Sequence, residues 1–151
     1  MERDVVLNRM RRLCSRGERC SSDILRKVIA YGIPEPESVV EQLVKEGYID
    51  DARYARAFAR DKSSLQGWGK VKIRVDLQRK SIDELAITAA LSEIDSAAAE
   101  TKLQKLALAK LRQLRNESDP NIHKAKFMRY LMGRGYTYDE IVKTYDNNRT
   151  D

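Results

Sequence analysis

Ile24-Leu25-Arg26-Lys27-Val28-Ile29-Ala30-Tyr31-Gly32-Ile33 is the stretch that decides the fold. Ile24 and Val28 stand eight and four residues before Gly32, and Ile33 follows it. Residues four apart share one helix face, so Ile24 and Val28 point into a single core. Gly32 suits a turn that needs positive φ. Ile33 then plugs the corner before the next helix. The same arrangement recurs as Ile73, Leu77, Ser81 and Ile82, and again as Phe127, Leu131, Gly135 and Tyr136. After each turn comes an apolar pair four apart: Val39 and Leu43, Ile87 and Leu91, Ile141 and Tyr145. A periodic unit of this kind marks a repeat architecture.

Working outward, apolar spacing and breakers predict helices over 2–16, 21–31, 37–46, 52–65, 70–80, 83–94, 95–115, 121–133 and from 137 or 139 onward. Val6, Met10, Leu13 and Cys14 form the stripe of the first. Ser21 or Ser22 is expected to cap the second, and Asp50 or Asp51 the fourth. Ile33-Pro34-Glu35-Pro36 reads as a turn and Asn116-Glu117-Ser118-Asp119-Pro120 as a connector. The fold expected is all-α: about nine helices in three tandem three-helix, helix-turn-helix-like repeats, elongated. The repeats are placed at 1–48, 49–94 and 95–147, with a polar tail at 148–151; fraying is expected from Asp146. Three modules in line would span roughly 75 Å at about 1.5 Å per helical residue.

The 151 residues carry 29 Lys and Arg against 23 Asp and Glu, a net charge of +6. A basic balance favours an anionic partner. The cations are unevenly placed. Lys70, Lys72, Arg74, Arg79 and Lys80 mark the helix before the second turn, with Asp76 its one acid. Lys124, Lys126, Arg129 and Arg134 mark the helix before the third, which has none. Lys102, Lys105, Lys110, Arg112 and Arg115 add to the long helix between them. Glu35, Glu37, Glu41, Glu46, Asp50 and Asp51 make the end of the first repeat acidic. Basic helices of this kind suit phosphate contacts. Trp68, between two glycines and near Lys70, is the candidate for stacking on a base; Tyr136 reads as a core plug.

No nucleotide-binding loop, nucleophile elbow or zinc-protease motif occurs. Two cysteines and one histidine are too few for a structural zinc site or a disulfide scaffold. His123 reads as a surface residue. No enzyme, cofactor or metal is expected. The N-terminus lacks a signal peptide's apolar run and no segment suits a membrane span, so a cytoplasmic monomer with reduced thiols is expected.

Several strings together resemble the RecX family, bacterial regulators of the RecA recombinase. They are Asp23-Ile24, Lys27-Val28 and Gly32; Leu43 followed by Gly47-Tyr48-Ile49-Asp50-Asp51-Ala52-Arg53-Tyr54-Ala55; Gly69, Ile73, Asp76-Leu77 and Lys80-Ser81-Ile82; and Leu131 to Tyr136 with Ile141. The resemblance runs from about Met10 to Tyr145. It departs at Cys20, where the family has a capping serine; at Ser81, where a turn glycine is usual; and at Pro34 and Pro36. It implies a three-repeat protein that lies in the groove of RecA–DNA filaments and inhibits strand exchange, ATP hydrolysis and coprotease activity. It also implies weak, non-specific binding to single-stranded DNA, with double-stranded DNA a further expectation. A helix-turn-helix transcription regulator is the alternative, and it predicts a dimer with base-reading side chains at one helix start. A protein-interaction scaffold is another, and it predicts no salt-sensitive DNA binding.

Overall fold

A computed structural model describes residues 1–149. The described residues form nine α-helices and no strand: α1 Arg3–Ser15, α2 Ser21–Ala30, α3 Pro36–Lys45, α4 Asp51–Ser64, α5 Lys70–Arg79, α6 Glu84–Ser92, α7 Ser96–Gln113, α8 Pro120–Gly133 and α9 Tyr138–Asn148. None is long and apolar enough to cross a membrane. Contacts divide the chain into two units. One comprises Met1–Phe58 with Leu77–Ala90; the other comprises Ala59–Asp76 with the chain from Leu91 onward.

Every apolar position of the repeated pattern is inside. Ile24, Val28, Ile73, Leu77, Phe127 and Leu131 are fully buried, and the corner residues Ile33, Ile82 and Tyr136 are 6–7% exposed. The three turn residues all adopt the left-handed conformation: Gly32 at φ 73°, Ser81 at 60° and Gly135 at 97°. Ser81 therefore keeps the geometry of a glycine turn, at the steric cost an L-residue pays there.

In the first unit, α1, α2 and α3 close a core around Val6, Met10, Ile24, Val28, Val39 and Leu43. Neither Ser21 nor Ser22 caps α2, contrary to the sequence reading. Cys20 holds the cap position and makes no capping bond through its side chain. Asp51 does the work from a distance. Its carboxylate accepts from the Ser21 backbone N–H at 2.7 Å and from the Ser21 hydroxyl at 2.5 Å. Asp50 caps its own helix, accepting from the Arg53 N–H at 3.0 Å. The two adjacent aspartates thus serve two different helix starts. Ser22 instead donates to the Lys80 carbonyl at 2.6 Å, which holds the Ser81 turn in place.

Two of the three prolines assigned to turns and connectors open helices. Pro36 and Pro120 sit in the first turns of α3 and α8, where a missing N–H costs nothing. Glu35, just before Pro36, takes φ 49°. Asp119 caps α8, Asp95 caps α7, and Thr137 forms a capping box with Glu140 at α9. Residues 146–148, expected to fray, belong to α9; Thr150 and Asp151 of the expected tail lie outside the described residues.

The second unit has a core of Leu103, Ala107, Leu114, Phe127, Leu131, Tyr136, Ile141 and Tyr145. His123 is half-buried at its edge and not a surface residue. Its Nδ1 lies 2.6 Å from the Tyr145 hydroxyl, and the Phe127 and Tyr145 rings meet at 4.8 Å. Burial pushes the Cys14 and Cys20 thiols up, away from reactivity. Among the described residues no group of three His, Cys, Asp or Glu gathers to hold a metal.

Candidate nucleic-acid interface

After Ser64 the chain turns through Gly67, at φ 67°, and Trp68, whose N–H donates to the Lys62 carbonyl at 2.9 Å. After Gly133 it turns through Gly135. Within the second unit these two turns are bonded to one another. The Gly69 N–H donates to the Arg134 carbonyl at 2.8 Å, and the Val71 N–H to the Gly135 carbonyl at 3.0 Å. The Tyr136 hydroxyl donates to the Gly67 carbonyl at 3.0 Å, and the Arg134 guanidinium to the Gln66 carbonyl. The first helical N–H groups of α5 have no partner in their own helix; Val71 finds one in the opposite turn.

The approach leaves no room for side chains. A Cβ on Gly69 would lie 2.3 Å from the Gly135 carbonyl oxygen, and one on Gly135 would lie 2.3 Å from Lys72 Cβ. Desolvation pushes the Tyr136 hydroxyl up to about 12. Its neutral form is the one the turn holds.

This junction gathers cations. The Lys62 and Lys72 ammonium groups lie 4.7 and 4.3 Å from the centroid of the Trp68 ring, within cation–π range. A Cβ on Gly67 would meet Lys102 Cε at 3.2 Å and Arg134 Nη2 at 3.3 Å. Arg134 Nε is buried and makes no hydrogen bond. Two cations, from α4 and α5, thus flank the Trp68 ring, and two more, from α7 and the α8–α9 turn, lie beside the neighbouring Gly67.

The other sequence candidates are distributed differently. Lys70 is exposed at the start of α5, with Arg74 half-buried one turn on. Arg79 is exposed. Lys80 lies in the first unit, where its ammonium pairs with Asp23 at 3.1 Å and faces the Tyr54 ring at 6.0 Å. Burial opposes its charge, but the Asp23 hydrogen bond prevails and raises its pKa. For Asp23, burial likewise acts against ionisation, yet bonds from Lys80 and Cys20 lower its pKa. Lys80 is therefore neutralised within the protein. Lys124, Lys126 and Arg129 are exposed on α8. At 100° per residue they do not form a single stripe, and Lys126 pairs with Glu117 at 3.2 Å.

The sequence reading missed Lys62 and did not connect Lys102 with the turn at Gly67. Lys62 stands six residues before Trp68, beyond any helical spacing that would pair them. Only the turn at Gly67 brings them together.

Residues 50–91 match the family model for the second three-helix domain of RecX, and residues 99–144 match that for the third. The chain is 31% identical to the regulatory protein RecX of Pectobacterium atrosepticum, over 96% of this chain and 90% of that protein. It is 30% identical to the regulatory protein RecX of Mycolicibacterium smegmatis, over 91% and 78% respectively. A crystal structure of regulatory protein RecX superposes with a TM-score of 0.83 at 27% identity, over 95% of this chain and 71% of that one. RecX from Lactobacillus salivarius shares the fold with a TM-score of 0.81 at 21% identity, over 95% and 94%.

Proposed function

This chain belongs to the RecX family, and on that premise we propose that it binds filaments of RecA on single-stranded DNA and lowers their recombinase, ATPase and coprotease activity. The observation that carries the reading is the cation cluster around Trp68. It is built by two turns locked through backbone bonds, so its charges are held in place before a ligand arrives. Phosphates would engage Lys72, Lys102 and Arg134, with Lys70 and Arg74 extending the track along α5, and Trp68 would stack on a base. The action is that of a non-catalytic ligand. By bridging adjacent recombinase subunits it would impede the rearrangements that accompany ATP turnover. The repeats at 1–48, 49–94 and 95–147 are the proposed modules of contact.

Titration with a labelled oligo-dT tests the DNA arm. With about four cations engaged, log K against log salt should have a slope of about −3. Changing Lys70, Lys72 and Arg74 to Glu should flatten it, and affinity should depend little on sequence. An unchanged slope would remove this surface from DNA binding. Co-sedimentation tests the filament arm: the protein should bind RecA–ATP–DNA filaments more tightly than either RecA or DNA alone.

A further inference from the structure

The first unit carries a second basic feature, built from residues other than the phosphate candidates taken from the sequence. A groove of about 530 Å³ runs between α1 and α2, lined by Arg9, Arg12, Arg16, Lys27 and Tyr31, with Met10 and Leu13 among its apolar residues. The residues lining it carry no acidic side chain. Arg9, Arg12 and Arg16 follow one another at three and four residues, so they share one helix face over about 10 Å. None of the three has an acid three or four positions away on α1. Lys27 has Asp23 one turn before it, but that carboxylate is already engaged by Lys80 at 3.1 Å and Arg26 at 3.3 Å.

The groove also has a flat wall. Tyr31 is half-buried, packed against the first core, with the Arg9 guanidinium 5.8 Å from its ring centroid. One aromatic ring beside four cations is the composition of a single-strand site: cations follow the phosphates and the ring takes a base. A protein surface would need acidic side chains in a matching row. A duplex would give Tyr31 no unstacked base.

From this we infer that the α1–α2 groove is a second binding site for single-stranded nucleic acid, holding about two successive phosphates on Arg9, Arg12, Arg16 and Lys27 and a base against Tyr31. It does not depend on the recombinase or on the cluster around Trp68.

Photocrosslinking of the full chain to an oligonucleotide containing 5-bromodeoxyuridine separates the two sites, because Trp68 is the only tryptophan. Wild type should give an adduct at Tyr31 as well as one at Trp68. In the variant Arg12→Gln/Arg16→Gln/Lys27→Gln, the Tyr31 adduct should vanish, the Trp68 adduct persist, and the slope of log K against log salt lose about 1.4, at about 0.7 for each of two phosphates. All three side chains are exposed, so the variant should keep its helical circular dichroism. Absence of a Tyr31 adduct in wild type, or an unchanged slope in the folded variant, overturns the inference. Loss of the Trp68 adduct alone would count against the proposed function and leave this site standing.

Discussion

The turn after α2 and the turn after α8 carry the same signature, yet their glycines answer different demands. Gly32 at φ 73° has nothing within 4 Å of where a Cβ would stand. Gly135 at φ 97° would place a Cβ 2.3 Å from Lys72 Cβ and 2.7 Å from the Lys72 backbone nitrogen. At the first turn, glycine is there for conformation alone. At the third, it also lets two backbones meet. A repeat can therefore preserve its local geometry while one copy acquires a docking role, and that role assembles the basic cluster.

The largest effect that follows is at Gly135. Replacing it with Ala should cost about 3 kcal/mol or more, since backbone must shift as well as strain. It should also alter Trp68 fluorescence. Urea unfolding measures the first; a loss no larger than that of Gly32→Ala would erase the distinction between the turns.

The corner residues extend the comparison. Ile33 has no titratable group, whereas the Tyr136 hydroxyl is buried against the Gly67 carbonyl with its pKa pushed up to about 12 from a reference of 10.0. The folded state favours neutral Tyr136 over phenolate. Its contribution is whole below pH 10 and is lost as the pH rises toward about 12, an effect on the order of 2–3 kcal/mol. Stability should fall in that window, and Tyr136→Phe should remove that part of the slope. A Phe variant as alkali-sensitive as wild type would place the cause elsewhere.

Gly32→Ala comes next, at about 1–2 kcal/mol, from left-handed strain alone. Thermal unfolding checks it. Smallest, and opposite in sign, is Ser81→Gly. Ser81 already adopts φ 60°, so glycine should stabilise by up to about 1 kcal/mol, reduced by the greater freedom of the unfolded chain. A destabilised variant would show that the serine side chain contributes more to the turn than its strain removes.

The pattern around Gly32, Ser81 and Gly135 was legible in the sequence because it is local: helical spacing, a turn residue and a plug all lie within ten positions. So was the placement of nearly every helix. What escaped the reading is long-range. Asp51 caps α2 from thirty residues away, and no capping rule spans that distance. Lys80 looked like one more cation on a basic helix, but its partner is Asp23, fifty-seven positions earlier. Lys62 reaches the Trp68 ring through its own turn, and Lys102 and Arg134 come to the adjoining Gly67 from α7 and the α8–α9 turn, a coincidence that charge counting along the chain does not expose. Pro36 and Pro120 were read as breakers, though proline in the first turn of a helix is a start signal as much as a stop.

The central claim is that the protein acts on the filament and not merely on DNA. The direct measurement is the ATPase rate of preformed RecA–single-stranded DNA filaments titrated with this protein, with and without excess naked DNA. The account predicts inhibition well below the concentration of recombinase subunits, largely retained when the naked DNA is added. Inhibition that disappears with the added DNA would show simple competition for DNA and contradict it.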